Sequence, residues 1–159
     1  VPFEDKRMDE WRENFVGVQA FHKPTNFLVF GAVDDLWVNK EGELIVVDYK
    51  ATSKDGEVGL DAEWQDGYKR QMEVYQWLLK NNNFKVSNTG YFVYANGKRD
   101  REAFDGKLEF DIKLISYTGN TDWIEDTLQN MKTCLDGELP KSSPNCEYCK
   151  YVSEVSKLI

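Results

Sequence analysis

Two carboxylates and an amine stand at close spacing in the first third of this chain. Gly31-Ala32-Val33-Asp34 is followed, after thirteen intervening residues, by Asp48-Tyr49-Lys50. Carboxylate oxygens are the ligands that the hard cations Mg²⁺ and Mn²⁺ prefer. A neighbouring lysine supplies a positive charge that can stabilise an anion as it develops. The residues therefore indicate a divalent metal site, provided that the fold brings the three side chains together.

The segment between the two motifs predicts a β-hairpin. Residues 36–47 read as strand, turn and strand, with Lys40-Glu41-Gly42 as a bulged loop that requires a left-handed glycine. Counting inward from this loop places Asp34 opposite Asp48. Because side chains alternate between the faces of a strand, Lys50 then shares a face with both acids.

Two like charges in direct opposition destabilise a hairpin by up to about 1 kcal/mol. A bound cation or Lys50 would remove this cost, whereas burial without a cation would raise the pKa of one carboxylate. The alternative is a polar-faced hairpin whose acids are coincidental. The run Ile45–Lys50 weighs against that alternative, because a buried strand rarely ends in charged residues unless the charges have a function.

A long helix is predicted over residues 61–81, with a polar residue inside its apolar stripe. The stripe residues, at helical spacing, are Tyr68, Gln71, Met72, Tyr75, Leu78 and Leu79. A glutamine in such a stripe is expected to be buried and to need hydrogen-bond partners. Gln71 and Tyr75 lie one turn apart, so both polar ends can face the carboxylate end of the sheet. The alternative is a tolerated edge glutamine beside a tyrosine whose hydroxyl reaches solvent.

Elements around these motifs follow an α/β order. We expect a helix over 3–15, a strand over 16–22, hairpin strands over 27–38 and 43–51, a flexible loop over 53–60 that closes over the site, the helix over 61–81, strands over 89–95 and 107–117 around a charged turn at 96–106, a helix over 121–136 and a short C-terminal helix. The last long helix carries an apolar stripe of Trp123, Ile124, Leu128, Met131 and Leu135.

Taken together, the motifs resemble the PD-(D/E)XK nuclease superfamily. Gly31–Asp34, Asp48–Lys50 and Gln71–Tyr75 are similar to its GxxD, DxK and QxxxY motifs, in the same order and within roughly residues 28–96. The likeness is strongest to the RecB-type branch, which includes the RecB nuclease domain and the CRISPR-associated RecB-like exonucleases. The resemblance implies an α/β fold with a restriction-endonuclease-like core, in which helices flank a central mixed sheet. Asp35 departs from the pattern, because many relatives carry a basic residue there.

The resemblance also implies a metal-dependent nuclease that hydrolyses phosphodiester bonds in DNA. In that reading Asp34, Asp48 and the backbone carbonyl of Tyr49 hold Mg²⁺ or Mn²⁺, and Lys50 orients the attacking water and stabilises the developing charge. Some relatives add a glutamate from the first helix as a ligand. Glu10 and Glu13 are the candidates here, although a solvent-facing position is the simpler expectation for both.

The helix completes the set of implied catalytic residues. Gln71 is expected to support Lys50 or a metal-bound water, and Tyr75 to contact phosphate or a ligand carboxylate. Lys69 and Arg70 are expected to bind nucleic acid with Tyr75, although a solvated surface is the ordinary explanation of such a pair. The implied substrate is DNA as single strands or duplex ends, and the implied activity is that of an exonuclease or of another enzyme that acts on single strands or ends. The alternative function is a catalytically silent module that binds nucleic acid or a partner on the same fold.

Composition sets broad limits. With 159 residues, 41% of them hydrophobic, the chain is expected to form one domain over residues 1–159 with a substantial core. A net charge of −8 is unfavourable for approaching phosphates, so a nuclease would depend on local basic clusters, at Lys69-Arg70 and at Lys98–Arg101. No segment has the length of a membrane span, and three cysteines without a signal favour a reducing cytosol. The oligomeric state is left open.

The cysteines and the single histidine are not expected to serve the site. Many RecB-type exonucleases hold an iron–sulfur cluster with one upstream cysteine and three near the C-terminus. Here only Cys134, Cys146 and Cys149 occur, so a four-thiolate site is incomplete unless a ligand comes from elsewhere. Cys134 is expected on the apolar side of the last long helix, in the protein core. His22 is expected at the surface or the edge of a hairpin.

Overall fold

A four-stranded mixed sheet carries both predicted acidic motifs. The computed structural model describes residues 1–103 and 105–158. Its elements are α1 (Met8–Trp11), β1 (Val18–His22), β2 (Phe27–Gly31), β3 (Asp35–Val38), β4 (Leu44–Thr52), a 3₁₀ turn (Glu63–Gln65), α2 (Asp66–Asn81), β5 (Thr89–Gly97), β6 (Phe110–Thr118), α3 (Trp123–Asp136) and α4 (Glu147–Val155). Phe104, in the charged turn expected at 96–106, lies outside the described residues.

The strands of this sheet follow the order β3-β4-β5-β6. β3 and β4 form an antiparallel hairpin, β4 and β5 are parallel, and β5 and β6 are antiparallel. Parallel neighbours need a crossover connection, and α2 provides it between β4 and β5. The expected α/β fold, a central mixed sheet flanked by helices, is confirmed.

The apolar stripe of α2 forms much of the core. Met72, Leu78 and Leu79 are fully buried, as is Phe92 of β5. Two polar residues of α2 that the stripe did not predict, Glu73 and Gln76, are buried as well.

Glu73 binds the end of β6 and the segment after it, and Gln76 binds the segment just before β5. Glu73 accepts hydrogen bonds from the Tyr117 hydroxyl (2.7 Å), the Asn120 amide (3.0 Å) and the Trp123 indole (2.7 Å). Burial and the neighbouring carboxylate raise the pKa of Tyr117 to about 12. Gln76 donates to the backbone carbonyls of Ser87 and Asn88. Both side chains thus fasten α2 to the sheet, because a buried polar group needs such partners.

The predicted strand over 27–38 is wrong in one respect, since the chain forms two strands there. β2 pairs with β1 in a separate two-stranded sheet, whereas β3 pairs with β4. Between them Val33 is buried, and its backbone amide donates to the carbonyl of Trp11 at 3.0 Å. This hydrogen bond to α1 takes Val33 out of the ladder, so the chain leaves one sheet and enters the other.

The predicted helix over 3–15 is also too long. Only Met8–Trp11 is helical, and the residues before it extend along β3, with the Phe3 amide donating to the carbonyl of Leu36 at 2.8 Å. Pairing with the open edge of β3 satisfies these backbone groups in place of helical hydrogen bonds.

His22 is buried, which corrects the expected surface position. It lies on the inward face of β1, and its Nδ1 is 2.7 Å from the hydroxyl of Thr25. The imidazole therefore belongs to the packing of the small sheet, where alternation along β1 turns it inward.

The chain divides into two compact units, Val1–Ile124 and Glu125–Ile159; the single domain over 1–159 stays a prediction. In the second unit the expected core position of Cys134 is wrong, because this residue is exposed together with Met131 and Leu135. A helical stripe predicts a shared face, and burial depends on what covers that face.

The C-terminal helix α4 begins at the Cys-x-x-Cys motif. The sulfur of Cys146 accepts the backbone amide of Cys149 at 3.4 Å, and this hydrogen bond lowers the pKa of Cys146. None of the helices in the described residues is long and apolar enough to cross a membrane.

Candidate active site

The β3–β4 hairpin has the register that the sequence predicts. Asn39 donates its amide to the carbonyl of Glu43 at 3.1 Å, and Gly42 has φ +74° in the intervening loop. Asp35 pairs with Val47 at the other end of β3. One step further along this register, Asp34 comes opposite Asp48, just before β3 begins.

Asp34 is held at the end of the hairpin by its neighbours on both sides. Its Oδ2 accepts the backbone amide of Tyr49 at 2.8 Å, which fixes the carboxylate beside β4. Arg12 donates its Nε to the carbonyl of Asp34 at 3.0 Å and its Nη2 to Asp35 at 2.9 Å. Asp35 in turn accepts the hydroxyl of Tyr49 at 3.0 Å. Asp35, at the position where the sequence departs from the family pattern, thus belongs to a hydrogen-bond network that positions the backbone of Asp34.

Sequence reasoning missed Arg12. The residue follows a four-residue helix and lies twenty-two positions before Asp34, so no local pattern marks it. The unusual acid at position 35 is a signal that could have indicated a basic partner.

Asp48 is buried, with 3% of its surface exposed. Burial raises its pKa, the nearby charge of Asp34 adds to that rise, and Lys50 opposes it. The Nζ of Lys50 lies 2.6 Å from Asp48 Oδ2, so the two groups form an ion pair. Burial and the nearby charge of Asp34 still penalise the carboxylate, so a further cation beside the two acids would be stabilised.

Lys50 is fixed by three neighbours. Besides Asp48, its Nζ donates to Gln71 Oε1 at 3.3 Å and lies 4.3 Å from the ring centroid of Tyr68. A cation over an aromatic face is stabilised by the ring quadrupole. Tyr68 was predicted only as a stripe residue, and its contact with the ammonium is a further finding of the structure.

Gln71 links the lysine to Tyr75. Its Nε2 donates to the hydroxyl of Tyr75 at 2.7 Å, across one turn of α2, while its Oε1 accepts from Lys50. Gln71 is half-buried rather than buried, and both ends of its amide have partners. Burial of Tyr75, together with the charges of Asp48 and Asp34, raises the pKa of its hydroxyl. Tyr75 therefore stays protonated at neutral pH.

Not every predicted site residue joins this network. Lys69 is paired with Asp66 at 3.0 Å, and Arg70 is exposed. Within the described residues, no hydrogen bond or ion pair connects either of them to Asp48 or Lys50.

The possible metal ligands are few. Among residues 1–103 and 105–158, no group of three His, Cys, Asp or Glu side chains is placed to hold a metal ion. Glu10 and Glu13 are exposed. The fit to a divalent cation therefore rests on Asp34 and Asp48, two oxygen donors of the type that hard cations prefer, and on the burial of Asp48 near the like charge of Asp34.

Comparison with known proteins gave three findings. A family model for the PD-(D/E)XK nuclease superfamily matches residues 3–153. A search of curated proteins gave no match. The solved structure titled "Crystal structure of SSO0001" is similar at 21% sequence identity with a TM-score of 0.43, and the match covers 80% of this chain and 50% of the other. This chain therefore spans about half the length of that one.

Proposed function

The chain belongs to the PD-(D/E)XK nuclease superfamily, and from this premise we propose that it is a metal-dependent deoxyribonuclease of the RecB type. Members of the superfamily are usually nucleases, they generally use divalent metals, and their substrates are nucleic acids. The mixed α/β fold described above is consistent with the restriction-endonuclease-like fold of the superfamily.

One observation carries the proposal. Asp48 is a buried carboxylate near a second acid, Asp34, and it is paired with Lys50, whose ammonium also donates to Gln71. Two acids and a lysine brought together at a buried strand are costly for a purely structural role. A buried acid with a raised pKa and a specific charged partner is typical of a catalytic site.

Asp34, Asp48 and the backbone carbonyl of Tyr49 would hold Mg²⁺ or Mn²⁺. Such an ion lowers the pKa of a bound water and neutralises charge on a phosphate. The two carboxylates are themselves held in place to receive such an ion, because Asp34 is anchored to the Tyr49 amide and Asp48 is buried.

Lys50 would orient the attacking water and stabilise the charge that develops on the phosphate. Its position is set by Asp48, Gln71 and the ring of Tyr68, so little reorganisation is needed as charge develops. Gln71 acts as a positioning residue for Lys50. Tyr75, which stays protonated, can donate a hydrogen bond to phosphate.

We propose DNA with single-stranded or duplex ends as the substrate, and exonuclease as the activity. Lys69 and Arg70 would contact the phosphate backbone beside Tyr75. The intact Asp34, Asp48 and Lys50 argue against the catalytically silent module, since such a module has no use for a buried acid beside a lysine. A reducing cytosolic setting remains the expectation from the three cysteines.

End-labelled single-stranded and duplex DNA incubated with the protein and Mn²⁺ tests this function. We expect cleavage that EDTA abolishes, with single nucleotides released from an end. Internal fragments from a closed circular substrate would contradict the exonuclease assignment. No cleavage of any substrate, with DNA bound, would support the silent module instead.

A further inference from the structure

Residues 53–60, which we call the strap, follow β4 and contact β5 and β6. The side chain of Asn96 exchanges two hydrogen bonds with the backbone of Lys54, at 3.0 and 3.1 Å. At the other end of the strap, Val58 and Leu60 are buried. The strap is thus packed against the protein, in contrast to the flexible loop that its glycines predict.

Two acidic residues of the strap hold one basic residue of the segment between β5 and β6 and one of β6. Both carboxylate oxygens of Asp55 contact Arg99, at 2.6 and 3.3 Å. Glu57 contacts Lys113 at 3.0 Å, and Lys113 also donates to the carbonyl of Val58. The side chains of Asp55 and Glu57 are 85% and 92% exposed, so each ion pair contributes little to stability.

Lys113 lies on the same face of the sheet as Lys50. It pairs with Tyr94 of β5, which in turn pairs with Lys50 of β4. Neighbouring strands are about 4.8 Å apart, so the backbones of the two lysines are separated by roughly 10 Å. Gln65 donates its side-chain amide to the Tyr94 hydroxyl (3.2 Å) and to the carbonyl of Gly59 (2.6 Å). These hydrogen bonds connect the strap to the row of side chains formed by Lys50, Tyr94 and Lys113.

The strap separates two cavities that contain basic residues. One, of about 690 Å³, is lined by Arg99 and Lys113, and the other, of about 510 Å³, by Lys69 and Lys113. Glu57 and Val58 line both cavities. Displacement of these two residues would join the cavities into one groove that contains Lys69, Arg99 and Lys113.

We propose that the strap is an acidic stand-in for a nucleic-acid strand, and that two phosphates of the substrate replace Asp55 on Arg99 and Glu57 on Lys113. This inference rests on the proposed function. Carboxylate and phosphate present similar oxygens to a guanidinium, so phosphate can replace carboxylate without moving the basic side chain. In a chain of net charge −8, the strap also shields these cations from other anions until a strand displaces it.

The exchange has a measurable signature. The strap carboxylates compete with phosphate, so Asp55→Asn/Glu57→Gln should bind a short labelled single-stranded oligonucleotide about tenfold more tightly. Arg99→Gln/Lys113→Gln should bind it about tenfold more weakly, with the slope of log K against log salt reduced by about 1.4, since each phosphate contact on a single strand contributes about 0.7.

The test is fluorescence anisotropy in EDTA over a salt series, with cleavage in Mn²⁺ measured in parallel. Asp9→Asn/Glu41→Gln, which removes two exposed acids outside the strap, is the control for net charge. A variant that combines Asp55→Asn/Glu57→Gln with Arg99→Gln/Lys113→Gln should bind the oligonucleotide no more tightly than Arg99→Gln/Lys113→Gln alone. The strap carboxylates then have no cations to compete for, and the effects of coupled residues are not additive.

Equal affinities in Asp55→Asn/Glu57→Gln and in the Asp9/Glu41 control would overturn the inference. So would an unchanged salt slope in Arg99→Gln/Lys113→Gln. Either result, with DNA still bound and cleaved by the unmodified protein, leaves the nuclease assignment intact. Failure of the unmodified protein to bind or cleave DNA would overturn both. The single variants Asp55→Asn and Arg99→Gln repeat each comparison with one exposed side chain changed.

Discussion

The ring of Tyr75 packs directly on the backbone of Gly31. A Cβ at position 31 would lie 2.7 Å from Cε1 of Tyr75 and 3.2 Å from its Cδ1. Real Cβ atoms do not approach other atoms so closely, so a side chain at position 31 would displace the ring. Glycine is thus required at position 31 because the ring of Tyr75 approaches its backbone closely, and not because of the backbone conformation. The absence of a side chain there leaves room for Tyr75 of the helix motif.

Gly31→Ala should therefore lower DNA cleavage by about 10–100-fold, the usual effect of disturbing a residue that supports a metal site. A displaced Tyr75 loses its hydrogen bond to Gln71, which orients Lys50. The measurement is the single-turnover cleavage rate. Gly67→Ala is the matched control, since nothing lies within 4 Å of a Cβ there, and it should cleave at the normal rate. Equal rates in the two variants would show that Tyr75 has no part in the reaction.

Gln71→Ala and Tyr75→Phe should each reduce cleavage by about 10–100-fold while the melting temperature changes little. Each change removes the hydrogen bond between the two residues, and phenylalanine keeps the packing of Tyr75. Tyr117→Phe provides the opposite control. It leaves buried Glu73 without one of its donors, so the melting temperature should fall while cleavage is kept.

Full activity in both Gln71→Ala and Tyr75→Phe would show that the similarity to the QxxxY helix motif is coincidental. A large fall in the melting temperature of Gln71→Ala would assign the glutamine to structure.

Lys50→Ala should abolish measurable cleavage, a loss of at least about 10²-fold, yet bind Mn²⁺ as tightly as the unmodified protein or more tightly. An ammonium cannot ligate a cation, and its removal takes away a repulsive charge. Isothermal titration with Mn²⁺ and the cleavage rate together test this. Lys85→Ala, at an exposed lysine beside the hairpin loop, should change neither. Near-normal cleavage by Lys50→Ala would remove Lys50 from the mechanism.

The raised pKa of Asp48 has a consequence for stability. A carboxyl whose pKa is higher in the folded state binds its proton more tightly there. Folded stability then falls as the pH rises through the interval between the ordinary value near 3.8 and the raised one. Without metal, the melting temperature of the unmodified protein relative to Asp48→Asn should decrease from about pH 4 to pH 7. Mn²⁺ at neutral pH should raise the melting temperature of the unmodified protein alone.

A relative melting temperature that increases over the same pH range would show that the carboxylate of Asp48 is stabilised, not penalised, by its surroundings. Other titrating groups are common to the two proteins and cancel in the difference.

Local patterns predicted how several of these residues are arranged relative to one another. The loop at Gly42 fixes the register of the hairpin, and an i, i+4 spacing on α2 brings Gln71 to Tyr75. These relationships depend on periods of two and of 3.6 residues, which a sequence displays directly. Asp34, Asp48 and Lys50 could therefore be placed on one face before the structure was known.

Long-range contacts could not be predicted in the same way. Arg12 reaches Asp34, and Asp55 reaches Arg99, across twenty-two and forty-four residues with no periodic signal. The burial of His22 and the exposure of Cys134 depend on which element covers each face. The division of the strand at Val33 depends on a single hydrogen bond from another element. Such features follow from packing, which composition and spacing do not specify.

The central claim is that Asp48 holds a catalytic divalent cation for DNA hydrolysis. Its most direct test is the rate at which the unmodified protein and Asp48→Asn cleave end-labelled single-stranded DNA in Mn²⁺. The asparagine keeps the shape of the side chain and removes its charge, so the fold should persist while a ligand to the cation is lost. We predict Mn²⁺-dependent cleavage by the unmodified protein and a loss of at least about 10²-fold in Asp48→Asn. Equal cleavage by the two proteins would contradict the account.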